Sequence, residues 1–127
     1  MAQTRFSGPV ASDNGFIGAV TGNVNGNVTG VTTGTVQALS GAGAVNTTTA
    51  VTSLTTTGAA EALTLANGTA GQFKTIVHTV DGGSAVLTPT TKVGFTTITF
   101  TNVGESATLV YTAAGWAIVA LNGAVAA

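Results

Sequence analysis

Short apolar runs separated by turn residues fill the second half of the chain. In the run at 96–101, Ile98 and Phe100 alternate with three threonines, which is the period of two that places one side of a strand in a core. Six short strands that are separated by turn residues predict a small antiparallel β-sandwich or barrel over residues 58–127, in an all-β protein. The six runs are 62–65, 72–80, 85–88, 96–101, 107–112 and 116–121.

The last of these runs is apolar on both faces. It contains Trp116, Ile118, Val119 and Leu121. A strand that is apolar on both faces needs cover on both, and a domain of about 65 residues buries too little surface to be stable alone. We therefore expect these four residues at the interface of a homotrimer.

A four-residue repeat runs through residues 18–37, where four of five units read Gly-x-Val-x. In an extended chain every second side chain lies on the same face, so the glycines and valines of the repeat share one face. Such a face is too small to hold itself in place by burial, so we expect it to bind another protein surface. The predicted contact residues are Gly18, Val20, Gly22, Val24, Gly26 and Val28.

Residues 39–57 are rich in Ala, Gly and Thr and carry no charge. This composition is typical of a flexible linker, but it also fits a strand-like segment docked on a neighbour. Both alternatives stay open from the sequence. Together with the repeat, these residues predict an extended arm over residues 1–57, ahead of the β domain at 58–127.

Charge is scarce: 6% of residues are charged, against roughly 25% in an average soluble domain. With 44% hydrophobic residues, this is not the composition of ordinary disorder. The net charge is −1 and the basic residues are only Arg5, Lys74 and Lys92. Phosphate-backbone binding needs a basic surface, so we expect no nucleic-acid partner.

The chain has no cysteine, which excludes disulfides and thiolate chemistry. Its first residues lack the apolar segment of a secretory signal, and no apolar run reaches the 18 residues of a membrane helix. We therefore expect synthesis in a cytoplasm and no membrane partner.

The few titratable residues do not predict a reaction. Glu61, Asp81 and Glu105 stand in turn-like contexts, where carboxylates are usually solvated. His78 shares a strand face with Ile76 and Val80, and we expect it to be a partly exposed structural residue. One histidine without cysteine cannot assemble a metal site within one chain. We predict no catalytic residue, no metal site and no cofactor.

A resemblance adds a class of protein to this reading. It rests on the strings ALTL at 62–65, GTAGQFKTI at 68–76, DGGSAVLTP at 81–89, TITF at 97–100, VGESATL at 103–109 and GW at 115–116. These segments resemble small β domains of tailed-bacteriophage virion proteins, both capsid decoration (cement) proteins and fibre-like components. The Gly-rich arm is similar to the arms of such proteins in amino-acid composition only.

The resemblance implies a structural protein of the virion, outside the head. The first hypothesis is a trimeric cement protein, whose arm binds the lattice of the major capsid protein and whose β domain trimerises. The alternative is a short trimeric head or tail fibre that contacts the host surface. An enzyme finds no support in the residues.

Overall fold

The computed structural model describes residues 27–127, together with Ser7 and Asn25. Residues Thr32–Ala127 form one compact unit. Within the described residues every regular element is a β-strand, which confirms the all-β prediction. The strands are β1 (Val36–Ser40), β2 (Gly43–Val45), β3 (Val51–Thr55), β4 (Glu61–Leu65), β5 (Phe73–Val80), β6 (Ala85–Pro89), β7 (Ile98–Phe100), β8 (Ser106–Thr112), β9 (Gly115–Asn122) and β10 (Val125–Ala126).

The strands form two five-stranded sheets. Sheet A has the order β1-β3-β5-β8-β9, and sheet B has the order β10-β7-β6-β4-β2. From β1 to β6 the chain alternates between the sheets, so it winds in stacked coils. Pairing in these coils is parallel, and partners in the last coil are 24 residues apart in both sheets, as in Thr52 with Ile76 and Leu63 with Leu87.

After β6 the pairing becomes antiparallel. In sheet B, β7 pairs with β6 and with β10; in sheet A, β8 pairs with β5 and with β9. Both sheets are therefore mixed and open. Within residues 58–127 the prediction of antiparallel pairing is wrong where β4 pairs with β6 and β5 pairs with β3, and the barrel alternative is wrong because neither sheet closes. The physical reason lies in the connections, since each one crosses to the other sheet before the next strand pairs.

The six strands expected in the second half are all present, as β4 to β9. Earlier in the chain, residues that the sequence analysis placed in the arm form three more strands. The first and third, β1 and β3, pair in sheet A, and β2 pairs with β4 in sheet B. Of the two alternatives for residues 39–57, the structure has the strand-like one.

The core lies between the inward faces of the two sheets. The fully buried side chains of sheet B are apolar, and Glu61 on the same face of β4 is half-buried. The apolar ones are Val45, Leu63, Leu65, Ala85, Leu87, Ile98 and Phe100. Sheet A contributes Leu54, Ile76, Leu109 and Trp116, but also the polar residues Thr52, Lys74 and His78. The indole Nε1 of Trp116 donates to the carbonyl of Ala66 at 2.9 Å, so its one polar atom is paired.

The turn from β8 to β9 depends on Gly115. Its φ is +120°, a region that side chains disfavour, and a Cβ there would lie 2.7 Å from the carbonyl carbon of Thr91. The close approach allows Trp116 N–H to donate to Thr91 O at 2.9 Å. Glycine here therefore sets the position at which the indole enters the core.

Candidate functional site

Lys74 is the least expected group in the core, because its side chain is fully buried. Its Nζ donates to the carbonyl of Thr49 at 2.9 Å, to the hydroxyl of Thr49 at 2.8 Å and to Oδ1 of Asn46 at 3.5 Å. All three acceptors are neutral and belong to the turn between β2 and β3. Burial lowers the pKa of Lys74 from the ordinary 10.5 to about 8.

The same turn is held by further hydrogen bonds. Asn46 Oδ1 accepts from the backbone N–H of Thr49 at 3.0 Å and from its hydroxyl at 2.7 Å. Gln37 Oε1 accepts from Asn46 N–H at 2.9 Å and from the Thr52 hydroxyl at 2.9 Å. The ammonium of Lys74 thus completes a network that joins β1, the turn and β5. Its chemical role in this arrangement is to fasten the turn.

His78 is also fully buried, so the expectation of a partly exposed histidine is wrong. Its Nε2 lies 3.0 Å from the hydroxyl of Thr56, which accepts from Gly82 N–H at 2.9 Å and can donate to Gly83 O at 3.0 Å. Every lone pair and proton of this hydroxyl is used when His78 carries its proton on Nε2. The other ring nitrogen, Nδ1, is buried without a partner among the described residues.

The carboxylates hold turns, as the sequence predicts. Glu61 Oε1 accepts from the hydroxyl of Thr57 at 2.6 Å, and Asp81 Oδ1 accepts from Gly83 N–H at 2.9 Å. Glu105 Oε2 accepts from Thr101 N–H at 2.6 Å. This backbone hydrogen bond is the largest cause that lowers the pKa of Glu105 below its ordinary value. Glu105 is buried, and Oε2 of Glu61 is buried without a hydrogen-bond partner among the described residues, so both carboxylates are less solvated than expected.

No cluster of three or more metal-ligating side chains occurs within residues 27–127. In the same region, no helix has the length and hydrophobicity for a membrane crossing. The buried amine and imidazole are enclosed by the fold and bonded to turns. The outward faces of the two sheets are surfaces that the described residues present to other molecules.

The four residues predicted at a trimer interface divide into two groups. Trp116 is fully buried in the chain's own core, and Ile118 is half-buried against that core. Val119 is 54% exposed and Leu121 is 37% exposed. Val119 lies at a β-bulge, where the register between β8 and β9 shifts. The apolar character of β9 thus has two causes, the core for Trp116 and an exposed sheet edge for the residues after the bulge.

The outward face of sheet A is uncharged. Its central rows, read across the strands, are Val51, Thr75 and Thr108, then Ser53, Val77 and Ser106, then Phe73, Val110 and Ala117. Most of these side chains are half-buried by their neighbours, and Phe73 is 57% exposed. This arrangement makes a surface of small side chains with one aromatic ring at its end.

Hydroxyls on this face bond to each other. Thr75 Oγ1 and Thr108 Oγ1 are 3.1 Å apart, and Ser53 Oγ and Thr79 Oγ1 are 2.8 Å apart. Thr79 also donates to the carbonyl of Leu54 at 3.0 Å. Ser53 and Thr79 therefore both donate within the protein, whereas one proton of the Thr75–Thr108 pair and the hydroxyl of Ser106 have no acceptor among the described residues. Part of the polar surface of this face is thus already paired when water is removed.

The outward face of sheet B is uncharged too, but its hydroxyls are arranged differently. Thr64 and Thr88 are directly paired positions on β4 and β6, and both are exposed. No side-chain hydrogen bond joins them to another residue in the described part of the chain, which leaves their hydroxyls to water. The remaining outward residues of this sheet are Ala44, Ala62, Val86, Thr99 and Val125.

The arm residues Gly18, Val20, Gly22, Val24 and Gly26 lie outside the described residues. Val28, the last of the predicted arm contacts, is 60% exposed.

Sequence reasoning missed Lys74 and the paired hydroxyls. The signal for Lys74 was its position, because it has the same parity as Ile76 and His78 on β5. The hydroxyl pairs carry no such signal. They depend on which strands are neighbours, and the parallel pairing of β3 with β5 does not follow from the alternation of either strand.

Comparison of the chain with protein-family models, with curated proteins and with solved structures finds no match.

Proposed function

We propose that the chain is a structural protein of a bacteriophage virion, which decorates and stabilises the outside of the capsid. The observation that carries this proposal is the surface of the β domain. In both sheets, every outward strand position within residues 36–126 is uncharged. A surface without charged groups avoids the largest cost of removing a surface from water, that of burying charges, so it suits lasting contact with protein.

The resemblance of residues 62–116 to virion β domains is the reason for proposing a virion as the assembly to which the protein belongs. In this proposal the protein is made in the host cytoplasm and resides on the virion surface. Its partners are further copies of itself and the major capsid protein lattice. No cofactor, catalytic residue, nucleic acid or membrane has a part in it.

The β domain forms the homotrimer in this proposal, and the arm binds the lattice. The exposed edge of β9 supports a subunit contact, because Val119 and Leu121 are apolar and lie on the last strand of sheet A. An unpaired edge strand of this composition associates readily with other chains. Trp116 contributes from inside, by fixing the start of β9 to the core.

Purified phage particles that contain the chain provide the test. Imaging should show hundreds of copies at regular lattice positions, and capsids stripped of the protein should rupture at lower temperature than decorated ones. A few copies at one vertex or at the tail would contradict the cement role. Absence of the chain from purified particles would contradict the virion role as a whole.

One observation favours the alternative of a short head or tail fibre. The strands β1 to β6 stack as parallel coils, an arrangement that lengthens by repetition. The first coil ends in the strands β1 and β2, which are edges of their sheets. A fibre would use this direction for its shaft and would place few copies on each particle, which the same images distinguish.

A further inference from the structure

We infer that the outward face of sheet A, here called the A face, is the surface through which copies of this chain pack against one another. This inference rests on the homotrimer of the proposed function and names the surface that forms it. The edge of β9 then borders the contact and does not make it alone.

The first argument is the state of the polar groups. Burying a hydroxyl without a partner is costly, and this cost usually keeps Thr-rich sheet faces in water. On the A face two cross-strand pairs, Thr75 with Thr108 and Ser53 with Thr79, supply part of the hydrogen bonds that these hydroxyls need. The threonine methyl groups and the neighbouring valines remain for contact with a partner.

The second argument identifies the occupant. The A face has no charged side chain, so two copies of it meet without like-charge repulsion and without a buried unpaired charge. A partner with a charged surface would gain no ion pair here. In a trimer the three A faces turn toward the threefold axis, and each of them meets the faces of both other copies.

The third argument concerns area. Five strands about 4.8 Å apart, with five to eight residues of about 3.3 Å each, span roughly 500 Å². Three such faces turned toward one axis bury roughly 1,500 Å² in total, or about 500 Å² for each pair of copies, which is below the size of a specific interface. A pair held by this face alone would be weak. Closure of three copies around an axis, with the β9 edges beside the faces, adds the missing contacts.

The fourth argument is the position of Phe73. It is 57% exposed and stands beside Val110 and Ala117, at one end of the A face. Exposed aromatic residues are enriched at protein interfaces, where they supply much of the binding energy. The outward face of sheet B has no aromatic residue among its described positions.

The chain offers a matched pair of variants for the test. Val77 and Val86 are both outward, half-buried valines at central strands, one in each sheet. We expect Val77→Asp to raise the dissociation constant of the oligomer at least about tenfold, because it buries a charge without a partner. Val86→Asp should leave it unchanged. Sedimentation velocity over a dilution series measures both, and circular dichroism establishes that each variant is folded.

A milder substitution keeps the test decisive if Val77→Asp does not fold. The chain has no cysteine, so Val77→Cys introduces a single thiol. Under oxidation we expect Val77→Cys to form covalent dimers in good yield, and Val86→Cys to stay monomeric on a denaturing gel. Val119→Asp separates the face from the edge, since it should weaken the oligomer less than Val77→Asp does.

Three results would overturn the inference. The first is an unchanged oligomer in Val77→Asp, and the second is stronger dissociation by Val86→Asp or Val119→Asp. The third is a monomeric wild type that loses binding to particles in Val77→Asp, which would make a capsid subunit the occupant. The proposed function is tested separately, because the location of the chain on particles does not depend on which face joins its copies.

Discussion

The two sheets have five strands each, but they place their polar groups differently. The fully buried side chains of sheet B are apolar, and its outward hydroxyls at Thr64 and Thr88 face water. Sheet A has a lysine and a histidine inside, and outside it pairs Thr75 with Thr108. Composition alone does not determine how a threonine-rich sheet behaves. The cross-strand neighbour decides whether a hydroxyl needs water or has its partner within the protein.

The largest expected effect comes from the apolar interior of sheet B. Leu87 is fully buried on β6, between β4 and β7. We expect Leu87→Ala to lower the free energy of unfolding by about 3 kcal/mol, through lost burial and the cavity left behind. Urea denaturation measures this loss. The neighbouring outward substitution Thr88→Ala should change stability by no more than about 0.5 kcal/mol, and equal losses would contradict the assignment of the two faces.

The next effect tests the polar groups beside sheet A. Thr56→Val keeps the shape of the side chain but removes the hydroxyl that serves His78, Gly82 and Gly83. We expect a loss of about 2 kcal/mol in the free energy of unfolding, because buried groups are left without partners. Thr64→Val on the outside of sheet B is the control and should be close to neutral. A neutral Thr56→Val would mean that water replaces the hydroxyl.

The third prediction concerns Lys74 and pH. The folded chain releases the proton of this amine near pH 8, whereas the unfolded chain holds it to about pH 10.5. Between these values the unfolded state binds more protons, so the contribution of Lys74 to stability rises with pH. Unfolding measured from pH 7 to pH 11 should show this rise in the wild type and in Lys92→Met. The rise should be absent in Lys74→Met, and its persistence there would assign it to another group.

The smallest effect tests the hydroxyl pairs themselves. A double-mutant cycle with Thr75→Val and Thr108→Val should give a coupling free energy of about 0.5 kcal/mol, as for other cross-strand pairs. The same cycle with Thr64→Val and Thr88→Val should give almost none, since these hydroxyls do not bond to each other. Similar couplings in the two cycles would remove the distinction between the outward faces.

The sequence predicted the strands well and their partners poorly. Alternation placed Ile98 and Phe100 in the core, and turn residues separated β4 to β9 correctly, because these signals are local. Parallel pairing across 24 residues has no local signal, so an antiparallel arrangement was expected for strands that pair in parallel.

The candidate site was predictable only in part. The apolar run of β9 predicted a trimer interface, and this stays a prediction. Val119 and Leu121 are exposed on the edge strand, whereas Trp116 belongs to the core. The A face could not be predicted, since it consists of residues from β3, β5 and β8 that become neighbours only in the folded sheet. Phe73 is an example, because its outward neighbours Val110 and Ala117 lie on β8 and β9.

The alternation of β1 to β6 between the sheets also has a kinetic consequence. Each coil adds one strand to sheet A and one to sheet B, so the two sheets gain their strands in alternation along the chain. Folding of this region is expected to advance coil by coil, with both layers forming together, and the long separation of partners makes each step slow. The two sheets should therefore acquire protection from hydrogen exchange at the same time, despite their different surfaces.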